Sequence, residues 1–195
     1  MKIALLPGHA QSCEGAFLCA GPRKNVGENA LAREYVPFLG EHLEGYGFEV
    51  VLTSRESAGG DSPLYSAKAA NASGADVALE WHFNSCGDSR VRGCEVVYFG
   101  YSAKGRLVAN ALSREFAKLL GVPNRGAKPV WGPKDRGWYA FKRSTKPFFM
   151  IEPCFGGSNA EDAILLGEAV ASGRWPKEAA AVVARIMNTF YRKGK

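Results

Sequence analysis

Residues 75–85, ADVALEWHFNS, set the reading of the whole chain. In an extended backbone successive side chains point to opposite faces, so Val77, Leu79, Trp81 and Phe83 share one face and Ala78, Glu80, His82 and Asn84 the other. An apolar strand of this kind delivers three polar side chains to its C-terminal end. Open α/β sheets hold their ligands beyond the carboxyl ends of the strands. His82 is therefore a candidate for chemistry, against the plainer possibility of a core histidine with one satisfied hydrogen bond.

Two other stretches repeat the arrangement. Residues 2–6 form a short β-type run stopped by Pro7-Gly8, which turns the chain and leaves His9 at the strand end. Residues 148–152, FFMIE, are an apolar run of the sort buried central strands show, and it closes on Glu152. Between the first two lies a loop over 10–27 with Gly15, Gly21, Pro22 and Gly27, long enough to be functional rather than idle. Glu28 then opens a helical pattern through Leu31, Tyr35, Phe38, Leu39, Leu43 and Tyr46, in which Pro37 and Gly40 predict a kink.

The remaining chain alternates in the same manner. Strands are predicted over 48–53 and 94–99, with a short helix over about 64–71. A helix through Leu107, Leu112, Phe116 and Leu120 is bounded by Ser102 and Gly121, and residues 122–137 read as a basic loop. Asn159 or Ser158 caps a helix over 160–171, and Pro176 opens a last one running to Tyr191. Strand and helix signals in alternation predict an α/β fold with a largely parallel sheet. At 195 residues and 46% hydrophobic, a single domain over 1–195 is expected, with no separate second domain.

The charge of +6, from 25 Lys and Arg against 19 Asp and Glu, favours anionic partners but is spread along the second half without a dense block. A solvated surface accounts for it, and nucleic acid is not expected. The N-terminal apolar run is five residues long, too short for a signal-peptide core, and no stretch reaches transmembrane length. Synthesis in the cytosol is expected, with release by another agent if the protein acts outside. Cys13, Cys19, Cys86, Cys94 and Cys154 are odd in number and lack a C-x-x-C pair, so reduced, mostly buried thiols are expected.

Three strands thus end in His9, His82 and Glu152, and a helix begins with Glu28. Two imidazoles and a carboxylate are the three-ligand set of a catalytic zinc site, with a fourth position left for water. A second carboxylate nearby can take that water's proton and pass it to a leaving amine. The spacing does not say which carboxylate does which, and it matches no regular metal motif.

In order along the chain, the residues resemble the zinc-dependent N-acetylmuramoyl-L-alanine amidases of the amidase-3 type, in particular the single-domain amidases of phage endolysins. The resemblance rests on Pro7-Gly8-His9, Glu28 opening a helix, Gly47-Phe48-Glu49-Val50 with Leu52-Thr53, Ala70-Asn71, Ala75-Asp76, His82-Phe83-Asn84-Ser85, and Ile151-Glu152-Pro153 with Phe155. It implies Zn2+ on His9, Glu28 and His82, Glu152 as general acid/base, and peptidoglycan as the substrate. The bond cleaved would be the amide between the lactyl group of N-acetylmuramic acid and L-alanine. The fold it implies is a three-layer α/β/α domain around a twisted mixed sheet; action on the cell wall is expected, and a monomer.

Glu80 departs from that family's pattern, which usually has a small or apolar residue there. It is expected either to pair with a buried Lys or Arg or to orient a metal ligand. Arg55 sits one residue later than the family's Thr-Arg predicts. Asn84 is a candidate for steadying the oxyanion or a sugar hydroxyl, and Trp131, Trp138 and Tyr139 for lining a substrate groove. Cys13 is a weak candidate ligand, Cys154 a small buried hydrophobe, and His42 structural. The C-terminal helix, with Phe190, Arg192, Lys193 and Lys195 at its end, allows a membrane-surface role besides ordinary packing. The rival functions are another zinc amidohydrolase or carboxypeptidase acting on small peptides and a non-catalytic basic binding module.

Overall fold

A computed structural model describes residues 1–192. Six strands form one sheet: β1 (Lys2–Pro7), β2 (Glu49–Leu52), β3 (Val77–Trp81), β4 (Cys94–Phe99), β5 (Asn124–Val130) and β6 (Phe148–Glu152), in the order β2-β1-β3-β6-β4-β5. β2, β1, β3 and β6 run parallel, with Leu5 opposite Leu52 and Leu79 opposite Phe149. β4 runs antiparallel to β6, placing Glu95 opposite Glu152, and β5 runs parallel to β4. The sheet is mixed and largely parallel, as expected.

Alternation along the central strands feeds two cores. Ile3, Leu5, Val77, Leu79, Trp81, Phe149 and Ile151 face one side, where they meet α1 (Glu28–Gly45), α3 (Ala103–Leu120), α5 (Ala160–Ala171) and α6 (Arg174–Phe190). Ala4, Leu6, Ala78, Val97, Phe148 and Met150 face the other, covered by α2 (Pro63–Ala72) and α4 (Trp138–Arg143). This is the expected three-layer α/β/α arrangement. Small residues on the second face (Ala4, Ala69, Ala70, Ala78) let the short helices approach closely. On the first face Trp81, Tyr35, Phe116 and Trp175 meet edge to face or tilted, with ring centroids 5.5–6.4 Å apart. Removing either buried Trp should cost about 3–5 kcal/mol.

The helix limits follow local chemistry. Ser102 Oγ accepts the Gly105 N–H at 2.9 Å to open α3, and Gly121 closes it at φ 72°. Asn159 Oδ1 accepts the Asp162 N–H at 3.0 Å to open α5. α1 runs through Pro37 without a break, because its buried stripe of Leu31, Tyr35, Leu39 and Leu43 is held by the core on both sides of the proline.

Two expectations need correction. Residues 124–130, expected in a loop, form β5; NRGAKPV reads as loop because an edge strand tolerates Gly and Pro and buries little. The thiols are all free, but only Cys94 and Cys154 are buried, while Cys13 and Cys86 are exposed. Both exposed ones lie in loops, which the count alone could not locate. On α6, Ala180, Val183, Ile186 and Met187 are buried in the core, and Arg192 lies 4.3 Å over the Phe48 ring. The apolar face proposed for a membrane is thus occupied, and Lys193 and Lys195 lie outside the described residues. No helix among those residues is long and apolar enough to cross a membrane.

Candidate metal centre

β1 and β3 are neighbours, so the residues just past their ends are brought together. The Gly8 N–H donates to the Trp81 carbonyl at 2.7 Å, and the rings of His9 and His82 lie 5.1 Å apart, edge to face. A Cβ on Gly8 would sit 2.4 Å from His82 Nδ1, so only glycine lets the backbone pass there. Glu28 arrives from the start of α1. Asn29 Nδ2 donates to the Gly8 carbonyl at 2.7 Å, and the 10–27 loop folds back so that the Ala16 carbonyl accepts the Glu28 N–H at 2.9 Å. That loop therefore has a task, as its length suggested.

One donor atom each from His9, Glu28 and His82 lie within 4.8 Å of one another. Glu28 Oε1 is 2.6 Å from His82 Nδ1 and Oε2 is 3.4 Å from His9 Nε2. Backbone N–H groups of Phe83 and Ala16 donate to the two oxygens at 3.2 and 3.3 Å, fixing the carboxylate. Burial opposes ionisation of Glu28, but hydrogen bonds from His82 and His9 outweigh it and hold its carboxyl down to about 2. Burial likewise opposes a charged His82, yet the charges and hydrogen bonds of Glu80 and Glu28 outweigh it and push the imidazole up to about 10. Such a site favours positive charge. Two imidazole nitrogens and one carboxylate oxygen suit zinc by donor chemistry, and a cation bound here takes the place of the His82 proton.

Glu152, at the end of β6, lines the same cavity of about 620 Å3 as His9, Glu28 and His82. It is buried, and its Oε2 has no hydrogen-bond partner among the described residues. Burial pushes its carboxyl up to about 7, only partly offset by the charges of His82 and Arg136. A carboxyl poised near neutrality can both take and give a proton. The Arg136 guanidinium reaches Glu95 and comes within 3.5 Å of Glu152 Oε1, while Arg125 Nε holds the other Glu95 oxygen at 2.8 Å.

The structure brings all four sequence candidates to one cavity. Asn84 also lines it, but its amide donates to Glu95 Oε1 at 2.8 Å. Cys13 lines the cavity without joining the donor cluster, Cys154 is buried, and His42 is exposed in the last turn of α1. Of the basic segment, Arg136 and Gly137 reach the cavity; the exposed rings of Trp131 and Tyr139 lie outside its lining. Reading by strand ends gave Gly8 as a turn and Gly15 as part of the loop without assigning either a place against the ligands, and it missed Glu95 and Arg136 as site residues. Of those two, only Arg136 left a signal, as part of the basic segment.

The profile of the amidase-3 family, N-acetylmuramoyl-L-alanine amidase, matches residues 3–182, which take in the whole sheet except Lys2 and include His9, Glu28, His82 and Glu152. The chain belongs to that family. This amidase has the fold of the catalytic domain of CwlV, the N-acetylmuramoyl-L-alanine amidase of Bacillus (Paenibacillus) polymyxa var. colistinus, at TM-score 0.73 and 22% identity over 98% of both chains. It is also similar to the catalytic domain of the CD27L endolysin targeting Clostridia difficile, at 0.71 and 22% over 100% of this chain and 99% of that one. The amidase of Clostridium difficile 630 aligns at 0.74 and 18% over 100% and 98% respectively. At these identities the likeness is one of fold. No curated protein matches the sequence. The activity of this amidase is hydrolysis of peptidoglycan at the amide between N-acetylmuramic acid and L-alanine. The binding-module and carboxypeptidase alternatives fall with that assignment.

Proposed function

We propose that the amidase is zinc-dependent, with His9, Glu28 and His82 as the ligands and Glu152 as general base and then general acid. The observation that carries this is the convergence of three donor atoms within 4.8 Å, from segments far apart in the chain, in a cavity shared with a buried carboxylate, one oxygen of which has no hydrogen-bond partner among the described residues. Zinc, when bound, lowers the pKa of its water from 15.7 to about 7 and draws electron density from a carbonyl. The chain's own residues do the rest. Glu152 accepts the proton of the attacking water, and the burial that raises its pKa lets it hand that proton to the departing L-alanine nitrogen. Arg136 holds Glu95 and borders Glu152, so it positions the acid against the cavity. The substrate places the enzyme's action in the cell wall. We take cytosolic synthesis, release by a separate agent and action as a monomer as the route there.

Metal analysis tests the assignment. Wild type should bind one zinc ion, His82→Ala should lose it, and Glu152→Ala should keep it while losing at least about 100-fold in kcat on muropeptides. Zinc retained by His82→Ala at wild-type affinity overturns the ligand set.

A further inference from the structure

The proposed chemistry leaves one carboxylate at the centre unused. Glu80 is fully buried, two residues before His82 at the end of β3. A buried carboxylate is costly unless its oxygens are bonded, and here the two oxygens differ. Oε1 accepts from Arg55 Nε at 3.0 Å and from Ser66 Oγ at 2.5 Å. Arg55 is itself held, its Nη1 donating to the Asp61 carbonyl at 2.9 Å. Oε2 has no hydrogen bond among the described residues, nor has His82 Nε2, and these two buried atoms lie 3.2 Å apart. The other nitrogen of the ring, Nδ1, turns toward Glu28.

An imidazole that binds a metal through one nitrogen carries a proton on the other, and the acceptor of that N–H sets both tautomer and ring orientation. We infer that Glu80 is a positioning residue for the metal centre: its Oε2 accepts the Nε2 proton of His82 and so commits Nδ1 to the metal, while Arg55 and Ser66 hold the carboxylate on aim. The inference rests on the zinc reading above. A carboxylate present only to balance the buried Arg55 would account for Oε1 and leave the approach of Oε2 to Nε2 without a reason.

Zinc affinity by chelator competition separates the two. Glu80→Ala combined with Arg55→Met removes the ion pair whole, so no buried charge is left alone. If Glu80 serves Arg55 alone, this variant binds zinc like wild type; if it positions His82, affinity falls about 10- to 100-fold with the far-UV spectrum unchanged. Glu80→Gln should lose at least as much. Arg55 and Ser66 both donate toward Oε1, so the amide oxygen takes that place and the NH2 faces Nε2, driving the ring proton onto Nδ1. Long-range proton–nitrogen spectra of the zinc-loaded wild type give a readout that needs no variant: His82 should carry its proton on Nε2. A proton on Nδ1, or wild-type affinity in the folded double variant, overturns the inference. A wild type that takes up no zinc instead overturns the zinc reading itself, and this inference with it.

Discussion

His9 and Gly15 both hold left-handed backbone conformations, at φ 57° and 80°; His9 Nε2 lies 3.4 Å from Glu28 Oε2, and the missing side chain of Gly15 leaves room for both groups. In the left-handed region a side chain is strained, and such strain persists where surrounding structure imposes it, commonly at functional sites. A Cβ on Gly15 would lie 2.6 Å from His9 Cδ2 and 2.8 Å from Glu28 Oε2. Substituting this glycine therefore adds backbone strain and pushes two ligands apart in one step. Gly15→Ala should lower stability by about 1–3 kcal/mol and weaken zinc binding, read by urea denaturation and metal titration on the same sample. Loss of stability with metal affinity intact would mean that the loop is structural only. Gly8 is under a different constraint. Its backbone lies outside the left-handed region, and its lack of a Cβ matters because the His82 ring occupies that space.

Elements meet at the site through single buried side chains that tie one strand end to another. Asp162, in the first turn of α5, is fully buried; its Oδ2 accepts the Phe155 N–H at 2.9 Å and the Gly93 N–H at 2.7 Å, and its Oδ1 takes Arg92 Nε at 3.1 Å. It thereby joins the chain leaving β6 to the chain entering β4, the antiparallel pair that carries Glu152 and Glu95. Asp162→Ala strands two buried N–H groups, each worth about 1–3 kcal/mol. A loss of about 3 kcal/mol in the urea midpoint analysis is expected, and a loss below 0.5 kcal/mol, roughly the range of a surface change, would show that the tie is incidental. β1, β3 and β6 were legible in the sequence because strands buried on both faces are apolar at nearly every position, and three of the four candidate residues stand at or just past their ends. Glu28 was legible only as an acid in a first helical turn, which most helices favour for other reasons. β5 was not legible, since an edge strand needs no apolar pattern, and neither was the Glu95–Arg136 pair. Its members are 41 residues apart and meet because the segment between β5 and α4, which carries Arg136, folds back onto β4, a placement that no periodicity encodes. For Glu80, the need for a cationic partner was readable, but Arg55 as that partner was a matter of folding.

Over the whole molecule the charges at the centre set how stability depends on pH. Burial opposes ionisation of Glu28 and Glu80, yet their His82, His9 and Arg55 neighbours hold both down to about 2. Both therefore stabilise the fold above the ordinary value of 4.5, and that contribution is lost as pH falls toward 2. His82, raised to about 10, contributes stability that is full below 6.5 and lost as pH rises through 10. Glu152 acts in the opposite sense to the other carboxylates: raised to about 7 by burial, it favours the fold while protonated and costs stability as pH climbs from 4.5 to 7. The metal-free protein should thus be most stable near about pH 5 and weaken toward pH 8. Zinc reverses the trend, because it competes with the proton on His82 and gains affinity as that proton becomes easier to remove. At a free concentration 100 times Kd, ligand binding adds about 2.7 kcal/mol, and the fixed zinc concentration that reaches this level at pH 8 falls far short of it at pH 5. Thermal melts in a chelator and in zinc, at both pH values, measure the difference. In chelator, Tm should drop from pH 5 to pH 8, and the rise caused by zinc should be several degrees larger at pH 8. An equal rise at the two pH values would mean that no ligand gives up a proton on binding, a result incompatible with His82 Nδ1 as a donor to the metal.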